Sequence, residues 1–274
     1  MTLKPGPGLA RLLHGSAGRS QTGAPADPSP GHIAPAARRR ALRALRWSRR
    51  VATTAWEYLS RTRRVRRHEG AGSAPEDLPA PLPSNLALTG LQDLAEGVGP
   101  LLHRCYVARV RDAKMTAAEV IGAFAGRPNC ASPQQLADFD KVKGEHGALR
   151  VGDEFTIRIP GPWDGPVRVV EVDSTGFGFV TLDGHLEAGR IRFSATDLAA
   201  GCLELRIEAW ARGGDHVSNV LFDRIGINKE IQLHTWTSVL ARLTQLAQGR
   251  RDGPICATTR RVDAAEVDAQ LTAA

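Results

Sequence analysis

Between residues 102 and 211 apolar and polar positions alternate in short runs, the pattern of strands that bury one face. The runs cover 102–111, 139–143, 154–159, 167–172, 178–182, 189–195 and 203–211. They are separated by GEHG, PGPWDGP, DSTG, DGHLEA and LAAG, each rich in residues that turn a chain. Connections of hairpin length between the later runs predict an antiparallel meander. Two helices are predicted after the first run. Thr116 caps TAAEVIGAFAG with Glu119 as its capping-box partner, and Ser132 followed by Pro133 opens a shorter helix, SPQQLA. From 215 to 248 the period becomes helical. Val217, Leu221, Ile225, Trp236, Val239, Leu243 and Leu246 share one stripe, and the amides Asn228 and Gln232 lie on it too. A last strand is predicted at 254–260.

A large sheet needs a cover for its apolar face, and the helix over 215–248 is the only predicted element long enough. The expected fold is α+β in the helix-grip arrangement, a curved antiparallel sheet of about seven strands wrapped on a long C-terminal helix. That domain is expected over 97–263, followed by a tail at 264–274.

The N-terminal part reads differently. Residues 1–35 are Gly, Pro, Ala and Ser with no hydrophobic period and are expected to be disordered. Over 36–68 a basic amphipathic helix is expected. Leu42, Leu45, Ala52, Trp56 and Leu59 share one face, and Arg39, Arg43, Arg46 and Arg50 the opposite one. The acidic, Pro-rich run EGAGSAPEDLPAPLPS then predicts a linker over 69–96.

Charge sharpens this division. Residues 1–70 carry 15 Lys/Arg against 3 Asp/Glu, and the remainder 21 against 26. Attraction to an anionic membrane surface therefore belongs to the Arg39, Arg43, Arg46 and Arg50 face. Nucleic acid is disfavoured as a partner, because basic and aromatic residues do not interleave as they do where bases stack. Cys105, Cys130, Cys202 and Cys256 are widely spaced and suggest neither a metal knuckle nor a disulfide framework. No metal or cofactor is expected. The expected location is cytoplasmic, with peripheral membrane contact through the basic helix.

The candidate site residues sit in the turn GHLEAG and on the long helix. His185 and Glu187 are two apart, a spacing that would put both side chains on one side of a strand as an acid/base dyad or polar clamp. The competing reading is a turn whose side chains bond local backbone. Asn228 and Gln232 are buried amides that need partners, either a ligand's polar head or strand-end backbone. Trp210 and Trp236 line the same cavity or serve as plain core. Glu204, Arg206 and Glu208 form a solvated strand face, and His234 with Glu230 a surface pair. HExxH and GxSxG motifs are absent from the chain.

The run FGFVTLDGHLEAGRIRF resembles the GF-x-x-x-TL-x-GH-x-E-x-G-x-x-x-F signature of a bacterial and plant family known as a domain of unknown function. GVGPLLHRCY and VGDEFTIRIPGPWDGPVRVVEV resemble further parts of it, over 97–263. The resemblance implies an SRPBCC-type or START-like helix-grip fold. It also implies binding of apolar or amphipathic small molecules, lipid-like or polyketide-like, through Asn228, Gln232, Trp236, His185 and Trp210. Two other functions are compatible with the residues: a cyclase- or hydrolase-type enzyme using His185 and Glu187, and an interaction protein acting through the basic helix.

Overall fold

The structure is a computed structural model describing residues 65–273, except 84, 85, 87, 146, 160–163, 200 and 215–226. A ten-stranded sheet forms its frame. The strands are β1 (Val65–Ala71), β2 (Val98–Arg111), β3 (Asp138–Lys143), β4 (Glu154–Arg158), β5 (Asp164–Val172), β6 (Gly176–Thr181), β7 (Glu187–Ala199), β8 (Cys202–Gly213), β9 (Arg250–Arg251) and β10 (Ile255–Val262). The helices are α1 (Ala74–Asp77), α2 (Ala117–Gly126), α3 (Ile227–Leu246) and α4 (Ala264–Ala273). Spatial order is β1-β10-β2-β8-β7-β6-β5-β4-β3, with β9 also on β2. From β3 to β8 each strand pairs antiparallel with the next, as the hairpin-length breaks require. Irregularities in register fall in β2, β3, β5 and β7, where an extra residue bends a strand.

Strand alternation divides the sheet into an inner face, covered by α2 and α3, and an outer face. The inner face carries Tyr106, Ala108, Phe155, Val169, Phe177, Phe179, Phe193, Leu205 and Ile207 against Val120, Ile121 and Phe124 of α2 and Leu233, Val239, Leu240 and Leu243 of α3. Phe124, Phe139, Phe155, Phe177, Phe179 and Phe193 form one continuous aromatic cluster, which Trp236 joins through Phe193 at 5.6 Å. Their separations and mixed tilts are those of favourable ring pairs. The cap of α2 forms as the sequence predicts: Thr116 Oγ1 accepts from Glu119 N–H at 3.3 Å, and Glu119 Oε2 accepts from Thr116 N–H at 2.7 Å.

Several expectations are corrected. The sheet has ten strands, not seven. Val65–Ala71, expected as the end of the basic helix and the start of the linker, pairs parallel with β10 at the sheet's edge. Its residues are mostly exposed, so its sequence shows no apolar alternation. The run SPQQLA is a turn, because the Ser132 hydroxyl bonds the Ala137 carbonyl instead of capping a helix. The expected tail is α4. Together with α1 and the 3₁₀ turn Leu94–Glu96 it covers part of the outer face, where Ala74, Leu94, Leu101, Val262 and Val267 make a second small core. The residues Arg39, Arg43, Arg46 and Arg50 lie outside the described residues. No described helix is long and apolar enough to cross a membrane.

Candidate functional site

The GHLEAG segment is held in place residue by residue. The Thr181 hydroxyl donates to the Gln92 carbonyl at 2.6 Å and accepts from Gly189 N–H at 2.9 Å. Gly184 adopts φ +90°, a backbone region that residues with a Cβ rarely enter. His185 Nδ1 accepts from Glu187 N–H at 2.9 Å, which closes the turn. Gln92 clamps it from outside, its Nε2 donating to the carbonyls of His185 and Glu187 at 2.7 and 3.0 Å. Burial pushes the His185 pKa down to about 4, so the ring is neutral at pH 7. His185 therefore braces the turn, and its ring meets the backbone of Glu187.

The Glu187 carboxylate points elsewhere. It accepts from Gln232 Nε2 at 2.5 Å, across the inner face from β7 to α3. The other end of the same amide, Gln232 Oε1, accepts from Arg104 Nη1 on β2. Arg104 shares its strand face with Tyr106, Ala108 and Val110, so its guanidinium is carried under α3 and is 3% exposed. Its Nε–H is buried without a partner. Close by, burial pushes Tyr106 up to about 12, while Arg104 acts in the opposite direction. The nearby Trp236 Nε1–H is likewise buried with no partner.

Beside Arg104 the sheet is floored by small residues. Arg104 lies opposite Ala209, and Ala209 opposite Ile191; in the next row Leu102, Ala211 and Gly189 face one another. The row on the other side, Tyr106, Ile207 and Phe193, is large and leads into the aromatic cluster. Gln232, Trp236 and Ile191 are only half-buried, so this end of the sheet–helix layer communicates with solvent.

The structure thus unites Gln232, Glu187 and Trp236 on the inner face and adds Arg104. Asn228 falls in the first turn of α3, and its side chain lies outside the described residues. His234 is buried, its Nδ1 3.1 Å from Ser238 Oγ, and Glu230 pairs with Arg67 of β1 instead. Arg104 escaped the sequence reading although a signal existed: strict alternation along LHRCYVARVR sets one arginine among Tyr106, Ala108 and Val110. Gln92 carried no such signal, because its role depends on a loop meeting a turn far along the chain.

Trp210 is on the outer face, separated by the sheet from Gln232 and Trp236. It stacks on His103 at 5.1 Å and borders a cleft of about 130 Å³ under Pro79–Pro83. His103 bonds the buried Asp77 carboxylate at 2.8 Å and lies 3.5 Å from Glu208. Burial lowers the His103 pKa, but Glu208 and Asp77 together outweigh it and leave it raised above 6.5. A raised folded-state pKa gives stability that is full below 6.5 and is lost as pH climbs through the folded value. Wild-type melting temperature should therefore fall over that interval relative to His103→Gln, a difference measurable by a pH series of thermal melts. Parallel curves would remove His103 as the cause. Cys105 shares this face, and burial pushes its thiol up to about 11, which keeps it protonated at neutral pH, while Arg206 Nη1 donates to its sulfur at 3.4 Å.

A family model described as Domain of unknown function (DUF1990) matches residues 133–224, which hold the meander from β3 to β8. No curated protein sequence matches the chain. Among solved structures, norcoclaurine synthase from Thalictrum flavum, in complex with dopamine and hydroxybenzaldehyde, is similar at 11% identity and TM-score 0.41, covering 62% of this chain and 97% of its own. A hypothetical protein from Helicobacter pylori is similar at 8% identity and TM-score 0.39, covering 52% of this chain and 86% of its own. Major latex-like protein 151 from Panax ginseng is similar at 17% identity and TM-score 0.31, covering 49% of this chain and 98% of its own.

Proposed function

We propose that the chain is a helix-grip binding protein that holds an apolar or amphipathic small molecule between the inner face of the sheet and the N-terminal half of α3. The observation that carries this reading is the Arg104–Gln232–Glu187 chain of polar groups, built into an otherwise apolar face beside a floor of Ala209, Ala211 and Gly189. Burying polar groups with incomplete partners costs stability, and proteins keep such groups where function uses them. The far half of the layer is filled by phenylalanine rings, so the ligand belongs at the Gln232–Trp236 end.

This reading is favoured over an acid/base dyad by the separate engagements of His185 and Glu187. One ring nitrogen of His185 is spent on the turn, and the Glu187 carboxylate is held by Gln232.

Native mass spectrometry of the purified full chain, followed by solvent extraction, tests the proposal. A stoichiometric apolar or amphipathic molecule is expected. An empty protein that gains no melting temperature from a lipid and metabolite panel would sink it. The double substitution Arg104→Met with Gln232→Leu should abolish retention while lowering stability by no more than about 1–3 kcal/mol, the cost of leaving the half-buried Glu187 carboxylate without its amide partner. Denaturant titration of the variant checks this, and a double variant that retains its molecule would exclude these side chains from the site.

A further inference from the structure

Three other arginines with little exposure to solvent, Arg212, Arg168 and Arg190, are each given a carboxylate. Arg212, 3% exposed like Arg104, donates to the carbonyls of Gly99 and Leu94 and pairs with Asp268 at 2.8 Å. Arg168 reaches Glu154 through Nε and Nη2 at 3.0 and 2.9 Å, and Arg190 holds Asp93 through the same two nitrogens. In both, the Nε–Nη2 edge meets a carboxylate: Arg190 takes both oxygens of Asp93, the bidentate geometry for which a planar guanidinium is suited, and Arg168 brings both nitrogens to one oxygen, Glu154 Oε1.

Arg104 breaks this pattern. Its hydrogen bond uses Nη1 and goes to a neutral amide, and no carboxylate among the described residues lies within ion-pair distance of it. Its Nε–H has no acceptor. A guanidinium withdrawn from water and left without a counter-ion is costly, far more so than a neutral group. The unfilled edge is the same one that Arg168 and Arg190 use for Glu154 and Asp93. It sits over the small-residue floor, beside the half-buried Gln232 and Trp236 that open to solvent.

Building on the binding reading above, we infer that the bound molecule carries a carboxylate, which the Nε–Nη2 edge of Arg104 grips while its apolar body runs over Ala209, Ala211 and Ile191 toward Trp236. Gln232 is then a positioning residue: it fixes the guanidinium plane through Nη1 and is itself fixed by Glu187. The head-group is specified by a vacant partner of the kind that Arg212, Arg168 and Arg190 possess.

The test uses the full chain and two probes of equal length, decanoate and decanol, below their micellar concentrations. Binding is followed by isothermal titration calorimetry. Decanoate should bind the wild type about thirtyfold tighter than decanol or more, the scale of a desolvated charge pair. Arg104→Gln should bring the two probes to within about threefold by weakening decanoate alone. Arg104→Lys, which keeps the charge and serves if the glutamine variant folds poorly, should retain a reduced preference for decanoate. Equal binding of both probes to the wild type, or a preference that survives in Arg104→Gln, overturns the carboxylate inference and leaves the binding site standing. Failure of both probes to bind, with nothing retained in native mass spectra, overturns the inference together with the reading it rests on.

Discussion

Phe193→Ala is expected to lower the unfolding free energy by about 3–5 kcal/mol, the cost of emptying a large aromatic site in a close-packed core. Phe193 is 1% exposed and touches four rings, with Phe177 at 5.2 Å, Phe124 at 5.3 Å, Trp236 at 5.6 Å and Phe179 at 6.3 Å. Those neighbours come from α2, β6 and α3, so no single element can slide inward to fill the hole. A domain stability of about 5–15 kcal/mol would lose a large share. Urea titration with an unchanged slope would show the loss as stability and not as a changed unfolded state. Phe193→Leu, which keeps most of the volume, should cost under about 2 kcal/mol. A cost below about 1.5 kcal/mol for the alanine variant would mean that the cluster collapses around the gap.

The legible part of the fold is the part with local chemistry. Each strand from β3 to β8 was visible because its alternation is bounded by Gly, Pro, Asp or Ser turns, and the pairing follows from short connections. The α2 cap was visible because both partners are three residues apart. What the pattern could not give is long-range. β1 is an edge strand whose side chains are mostly exposed, and it owes its existence to pairing with β10, nearly two hundred residues away. The four-residue α1 looks like linker because a Pro and two acids open it, yet Asp77 is 1% exposed and bonds His103. The outer-face core, too, draws on segments from both ends of the described chain.

The candidate site was half legible for the same reason. Gln232 stood out as an amide on an apolar helical stripe, and it is the residue that joins Arg104 to Glu187. The spacing of His185 and Glu187 was correct but its meaning was not unique. A two-residue spacing says which side two side chains share on a regular strand, but His185 lies in the turn and only Glu187 is on the strand, as the first residue of β7. The sequence leaves Trp210 as either a cavity lining or plain core. Alternation with Ala209 and Ala211 sets it on the other face of β8.

Gly189→Ala should be among the most disruptive single changes in the chain, and its cost has nothing to do with backbone conformation. A Cβ at this position would lie 2.0 Å from the Trp210 carbonyl oxygen and 3.0 Å from Ala211 Cα, both backbone atoms of β8. Nothing flexible can move aside, so β7 and β8 must part at the row next to that of Arg104. The same shift would pull the Gly189 N–H from Thr181 Oγ1 and the Gln92 carbonyl, which it reaches at 2.9 and 3.1 Å. Overpacking of this kind costs about 3 kcal/mol or more when only backbone can yield. Gly184→Ala is the informative comparison. There the space is open and the strain is confined to φ +90°, so the cost should be about 1–2 kcal/mol. Hydrogen exchange separates the two. The Gly189 variant should lose protection at the paired amides of β7 and β8, while the Gly184 variant should change only at its own turn. Equal exchange patterns would place the requirement for Gly189 in its conformation and not in the closeness of the two strands.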